Sequence, residues 1–354
     1  MSSADDHPAT DRREFAAGDL DLELELPTAP ARRVVVLVPG VFATAAFFRV
    51  DADAGPSPAR WLREKGCAVV HFDQRGLGRN RDRAHGSIDL TLRVADLRRV
   101  VLAAQAELPQ VPMVLLGHSF GGATIYALLA SGDAPTVNAA ITVGSPARLT
   151  PRAPPWENLF SPETEALARR MAAGGFLDAV AFATIQNRIY SGGDNWARLP
   201  RVVLALGQWA VARWRWLAAT TLAQPHVASF LFRAGPDADY SAAELQRVLR
   251  ARAIEREHLD LLLQVLAFGR GDGEIALPNQ ASLSAASHRS NTPVLAAWSA
   301  RDELVLPPEV AAWASPTTSL LDVGACGHGG YFFKAEPRAR LLAAIETFLE
   351  EHAS

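Results

Sequence analysis

The stretch "VPMVLLGHSFGGATIYALLA", Val111 to Ala130, decides how this chain is read. Its first part is a continuous apolar run, the pattern of a strand covered on both faces. The run breaks at Gly117-His118-Ser119-Phe120-Gly121-Gly122, and an apolar helical run follows. A strand, a G-x-S-x-G turn and a helix together form a nucleophile elbow. The requirement is steric. The serine takes a strained backbone so that its hydroxyl stands clear of the sheet, and neighbouring chain passes so close that the positions two before and two after must be glycine-sized. The helix beginning near Phe120 aims its first N–H groups at the same spot, which favours developing negative charge there. As a bare small-residue turn the pentapeptide would carry no chemistry. Its place between "MVLL" and "ATIYALLA" points to a nucleophile.

A serine hydroxyl is a poor nucleophile at neutral pH and needs a general base oriented by an acid. In a strand–turn–helix setting the expected chain order is serine, acid, histidine. "PVLAAWSARDELVLPPE" supplies Asp302 just past a predicted strand, and "TSLLDVGACGHGGYFF" supplies His328 in a glycine-rich loop past the next. The turn after "NAAITVG", another place for the acid, is Ser145-Pro146 and holds no carboxylate. Taken singly, Asp302 and His328 are ordinary loop residues. Three correct residue types in the correct order, each just past a strand, make a Ser119–His328–Asp302 triad. The tetrahedral intermediate needs about two backbone donors. One is Phe120, the residue after the nucleophile. The other comes from "PGVFATAAFF", where Gly40 permits close approach and Val41 is the first candidate, with Phe42 next.

These residues resemble the α/β-hydrolase fold, specifically its capped serine esterase, lipase and thioesterase members. The resemblance spans Arg33 to Gly144 and Pro293 to His352. It includes "FDQRGLGRN" (Phe72–Asn80), similar to the family's D-x-R-G-x-G turn, in which Asp73 and Arg75 are expected to bond backbone, and "ARDELVLPPE", similar to its acid-bearing loop. One departure is Pro39-Gly40 where the family commonly has His-Gly, which bears on the oxyanion loop and on Val41 rather than on the triad. Ser119 argues against the branches that use Asp or Cys as nucleophile. The resemblance implies a mostly parallel eight-stranded sheet with helices on both faces and a helical cap inserted after strand 6.

The chain-wide pattern agrees with that architecture. "LDLELEL" (Leu20–Leu26) alternates with period two, as a strand with one buried face does. "RVVVLV" (Arg33–Val38), "CAVVHF" (Cys67–Phe72), "NAAITVG", "PVLAAWS" and "TSLLDVG" are further strands, and helical patterns lie between many of them at 57–66, 89–108 and 337–352. Strands alternating with helices mean a largely parallel sheet. The alternation stops between about Pro146 and Asn291, which reads as helices, with Ser241 and Glu244 forming a capping box and "EHLDLLLQVLAFGRG" a buried helix. The expected division is a disordered N-terminus (1–12), an α/β core (13–145 and 292–354) and a helical cap (146–291).

The 354 residues suit one core domain with an insertion, and 49% hydrophobic with 21% charged residues is an ordinary globular composition. A net charge of −3 gives no global attraction to nucleic acid or anionic membrane. No signal peptide begins the chain, and no uninterrupted apolar stretch reaches the roughly 18 residues that span a bilayer. The nearest, Val202–Ala223, is broken by Arg213 and Arg215. Cys67 and Cys326 match no disulfide framework, and the histidines have no ligand-like spacing. The expectation is a cytoplasmic protein with no metal, no cofactor, no nucleic-acid partner and no stable membrane insertion. Its substrate would be a small-molecule acyl ester or thioester. Phe42, Phe47, Phe48 and the insertion's tryptophans, Trp209 among them, are candidates to wall an apolar acyl pocket. Two alternatives keep the fold: an acyltransferase with an alcohol or amine acceptor, or a binding protein without turnover.

Overall fold

Strands β3 (Arg33–Val38), β4 (Cys67–Phe72) and β5 (Met113–His118) are buried at every position. This is why their sequences are continuous apolar runs rather than alternating ones. They form the centre of an eight-stranded sheet in a computed structural model that describes residues 11–84, 86–151, 159–172, 174–182, 239–277 and 281–353. The other strands are β1 (Arg12–Ala17), β2 (Leu20–Glu25), β6 (Ala139–Val143), β9 (Val294–Trp298) and β10 (Thr318–Asp322). The order is β1-β2-β4-β3-β5-β6-β9-β10. Every neighbouring pair from β4 to β10 is parallel, whereas the β1–β2 hairpin and its junction with β4 are antiparallel.

β1 has no counterpart among the strands read from the sequence. Its RREFAA lacks apolar alternation, because most of its positions are exposed at the sheet edge. It starts at Arg12, at the end of the segment expected to be disordered, and residues 1–10 lie outside the described residues. β2 also differs from expectation. Its apolar face is buried, but Glu23 and Glu25 on the other face are buried too. Arg12, Arg49 and Arg79 reach over that face and pair with them. Such partners offset the cost of burying the carboxylates.

Helices cover the sheet. α1 (Pro58–Glu64) starts at Ser57, whose Oγ accepts from Arg60 N–H, and packs on β4. α2 (Leu90–Glu107) starts at Asp89, which accepts from Leu92 N–H at 2.9 Å. Each such cap contributes about 1 kcal/mol. α3 (Phe120–Leu129) is buried at all positions, between β5, β6 and α2. Its Tyr126 stacks on Trp313 at 4.5 Å.

Between β6 and β9 the chain leaves the sheet. The described part holds α4 (Pro162–Met171), β7 (Phe176–Asp178), α5 (Ala242–Arg250), β8 (Arg256–His258) and α6 (Leu259–Arg270). α5 opens with the Ser241–Glu244 capping box, both halves formed. The all-helical reading needs correction here, because β7 and β8 pair antiparallel in a small second sheet. Glu257 and His258, read as the start of a helix, are strand residues, and α6 is only part-buried along its length. Trp196, Pro200, Trp209, Arg213, Trp214, Arg215 and Trp216 all lie outside the described residues, as does the whole Val202–Ala223 stretch. Among the described residues no helix is long and apolar enough to cross a membrane. The sheet then resumes with β9, α7 (Pro307–Ala311), β10 and the closing α8 (Ala335–His352).

Candidate active site

Ser119 follows the last residue of β5 and has φ 57° and ψ −133°. A non-glycine residue there is strained by about 1–3 kcal/mol. The strain persists because the surroundings leave no room to relax. Ser119 N–H donates to the Val143 carbonyl at 2.9 Å. A Cβ on Gly121 would collide with the Val38 carbonyl oxygen, and one on Gly40 would lie 2.8 Å from Ser119 Cβ. The glycines demanded by the elbow are thus demanded by named neighbours. Ser119 itself stays partly exposed while both flanking residues are buried.

Asp302 lies in the turn after β9 and His328 in the loop after β10, at the same C-terminal sheet edge as Ser119. Ligands of open parallel sheets gather at that edge. His328 Nδ1 is 2.9 Å from Asp302 Oδ2. The carboxylate accepts three further bonds, from Tyr331 Oη and from the Leu304 and Val305 N–H groups, each at 2.9 Å. Burial alone would raise the Asp302 pKa. The charge of His328 and these donors outweigh burial and hold it below the usual carboxylate value. Asp302 is therefore an anion that fixes Nδ1 as the donor, which leaves the Nε2 lone pair free to accept a proton. Among the described residues no hydrogen bond joins Ser119 Oγ to the His328 ring, although both line one cavity. Such contacts are often long until substrate binds.

His118 sits beside His328, with ring centroids 4.8 Å apart, and stacks on Phe47 at 4.9 Å. Its Nε2 is 3.0 Å from the His328 carbonyl oxygen. A carbonyl only accepts, so His118 Nε2–H donates. Complete burial, with His328 nearby, holds its pKa at about 3. It is a neutral brace whose one ring proton is committed to that bond.

The loop after β3 runs beside the insertion. Ala43 bridges Ile254 antiparallel, Thr44 N–H donates to Ala253 O at 3.0 Å, and Glu255 N–H donates to Phe42 O at 2.8 Å. Phe42 adopts φ 65° and its N–H donates to buried Glu257 at 3.1 Å. Glu257 is in turn paired with buried Arg93 at 2.6 Å. Phe42 N–H is therefore committed elsewhere. Neither Val41 N–H nor Phe120 N–H is engaged by another described residue. Asp73 bonds backbone as expected, accepting from Ala45 N–H at 2.7 Å and Arg79 N–H at 2.8 Å. Arg75 also bonds backbone, donating to the Arg83 carbonyl at 3.3 Å, but it does more than expected. Its main partners are the carboxylates of Asp19 and Asp96, which lie within its reach across the turn.

Ser119, His118 and His328 open onto a cavity of about 110 Å³. Its wall includes Val41, Phe42, Phe47, Phe160, Phe182 and Leu266, and among the described lining residues none is a carboxylate, lysine or arginine. Phe42 and Phe47 face it as the sequence suggested. Phe48 does not, because it is fully buried against Phe47 and Phe332. Trp209 is outside the described residues. Cys67 and Cys326 are free and buried, and burial pushes the Cys326 thiol up to about 12, which makes it inert at neutral pH. Among the described residues no group of His, Cys, Asp and Glu is placed to hold a metal ion. Nothing in the sequence marks Tyr331, Glu257 or Asp239, whose carboxylate lies against the His328 loop. Tyr331 follows His328 by three positions in an aromatic run. Glu257 and Asp239 carry no local motif.

Residues 29–194 match the profile of the serine aminopeptidase family S33. The chain has the α/β-hydrolase fold. Three solved structures illustrate the likeness. The esterase RhEst1 from Rhodococcus sp. ECU1013 is 17% identical, with TM-score 0.55 over 97% of this chain and 99% of its own. A monoacylglycerol lipase from Paleococcus ferrophilus is 15% identical, with TM-score 0.54 over 94% and 99%. A proline iminopeptidase from Mycobacterium smegmatis is 17% identical, with TM-score 0.53 over 96% and 98%. At these identities the chain shares a fold with them. No curated protein sequence is significantly similar to it.

Proposed function

We propose that the chain is a serine hydrolase that cleaves a carboxylic ester, or a thioester, of a largely apolar acyl group. Ser119, His328 and Asp302 would be its triad, and the Val41 and Phe120 N–H groups its oxyanion hole. The observation that carries the reading is the cavity where Ser119 and His328 meet a largely apolar wall. Such a wall takes an aliphatic or aromatic acyl chain and leaves the carbonyl at the polar end. The same wall speaks against an aminopeptidase. A substrate amino terminus is a cation and needs an anionic partner, and among the described lining residues there is no carboxylate.

In this mechanism the His328 Nε2 takes the Ser119 proton as Oγ attacks the carbonyl carbon. Asp302 holds the ring in the required tautomer and stabilises the imidazolium. The oxyanion is met by the two free N–H groups, aided by the N-terminus of α3. Imidazolium then protonates the leaving oxygen or sulfur, and the resulting neutral imidazole activates water to cleave the acyl-enzyme. The test is a chain-length series of p-nitrophenyl and thioester substrates with wild type and Ser119→Ala. Rising kcat/KM with acyl length, absent in the variant, is expected. A preference for free α-amino amides would overturn the substrate class. Product partition with added alcohol or amine separates hydrolysis from acyl transfer.

A further inference from the structure

The loop Cys326–Tyr331 that carries His328 has glycine at 327, 329 and 330. Glycine-rich loops pay more entropy to become ordered, so a loop that must aim an imidazole needs an external restraint. The insertion supplies one. Asp239 is 5% exposed, and its Oδ1 accepts from Gly327 N–H at 2.6 Å. Its Oδ2 accepts from Gly329 N–H at 3.2 Å. The two N–H groups belong to the residues on either side of His328. A Cβ on Gly327 would strike this carboxylate, one on Gly330 would lie 2.7 Å from Oδ1, and one on Gly329 would strike the Tyr240 hydroxyl. The glycines are what admit Asp239 and Tyr240.

We propose that Asp239, carried by the insertion, is a positioning residue for His328, its carboxylate clamping the peptide groups on both sides of the catalytic histidine. With the clamp, His328 is held by Asp302 at its ring, by His118 at its carbonyl oxygen and by Asp239 through both neighbours. No cation among the described residues pairs with Asp239, and burial raises its pKa against the opposing pull of the two N–H groups. A buried carboxylate costs stability unless it is satisfied, so its retention here points to the loop it holds. The insertion is thereby part of the catalytic framework. The inference rests on the triad reading. A misplacement of about 1 Å at a reacting group costs on the order of 100-fold in rate.

The experiment compares kcat, KM and thermal unfolding for wild type, Ser119→Ala, Asp239→Asn, Asp239→Ala, Gly327→Ala and the double variant Asp239→Ala/Gly327→Ala. Asparagine keeps one acceptor and turns an NH₂ toward the other N–H. Asp239→Asn should lower kcat roughly 10- to 100-fold with KM unchanged. A purely structural role would lower the melting temperature and leave kcat per folded molecule intact. Gly327→Ala should reproduce the kcat loss in a chain whose carboxylate is untouched. It should add little in the Asp239→Ala background, because the two changes remove one contact. Wild-type kcat in folded Asp239→Asn, or in Gly327→Ala if Asp239→Asn does not fold, overturns the clamp. Activity retained by Ser119→Ala overturns the triad instead.

Discussion

The two loops that face each other across the cavity are built in opposite ways. The elbow around Ser119 is held from within the core. The Val38 and Pro39 carbonyls at the end of β3 crowd Gly121, Ser119 and the His118 carbonyl crowd Gly40, and Val143 O on β6 accepts from Ser119 N–H. The loop around His328 has no such confinement of its own and is held by side chains from elsewhere, Asp302 after β9, His118 on β5 and Asp239 in the insertion. Steric confinement is local and leaves a spacing in the sequence. Clamping from a distance leaves only glycines whose partner is unstated. The difference predicts how each loop fails: changes at the elbow should act on the fold and the nucleophile together, changes at the histidine loop on rate alone.

The largest effect belongs to the elbow. Ser119→Ala should lower kcat by about 10⁶ while the unfolding transition stays cooperative, because in the proposed mechanism the hydroxyl is the bond-forming group. Stopped-flow or long-incubation ester assays read this, and activity within 100-fold of wild type would remove Ser119 from the chemistry. Asp302→Asn comes next, with a loss on the order of 10⁴ in kcat, since an amide stabilises the wrong tautomer and gives no charge to the imidazolium. KM should hold, and a loss shared with KM would reassign Asp302 to substrate binding.

Gly121→Ala sharpens the contrast through stability. The added methyl meets the Val38 carbonyl, and overpacking of this kind costs about 1–3 kcal/mol. Urea unfolding should show that loss, and an unchanged midpoint would mean that the elbow can relax. The smallest effect is a pH slope from His118. Its pKa is held at about 3 in the fold, against about 6.5 when unfolded. The unfolded chain therefore binds more protons between those values, and stability falls as pH drops below about 6.5. From pH 7 to pH 5 the loss should be on the order of 2 kcal/mol. His71 is buried and shifted in the same direction. His118→Gln keeps a donor for the His328 carbonyl and should reduce the slope without abolishing it. An unchanged slope in urea midpoints would contradict the neutral brace.

Much of this was legible because the causes are local. The central strands announce themselves as continuous apolar runs since both of their faces are covered. Ser119 and Asp302 each stand just past such a run, whereas His328 follows β10, an edge strand that is largely exposed although its sequence reads as a covered one. β1 was not legible because an exposed edge strand needs no apolar pattern. Glu23 and Glu25 looked like a solvated face because their arginine partners come from other elements. β8 was hidden in a helical pattern that belongs to α6, and Phe48 looked equivalent to Phe47 although only one faces the cavity. Asp239 was beyond reach because its partners lie some 90 residues away in the chain.

The central claim is that Ser119 attacks the acyl carbonyl. Its most direct test is peptide mapping by mass spectrometry after reaction of the folded wild-type chain with a fluorophosphonate, followed by the ester assay on the same sample. One adduct on the peptide containing Ser119, with loss of activity in proportion to labelling, is the predicted result. Full ester turnover with Ser119 unmodified, or inactivation by an adduct on another residue, would contradict it.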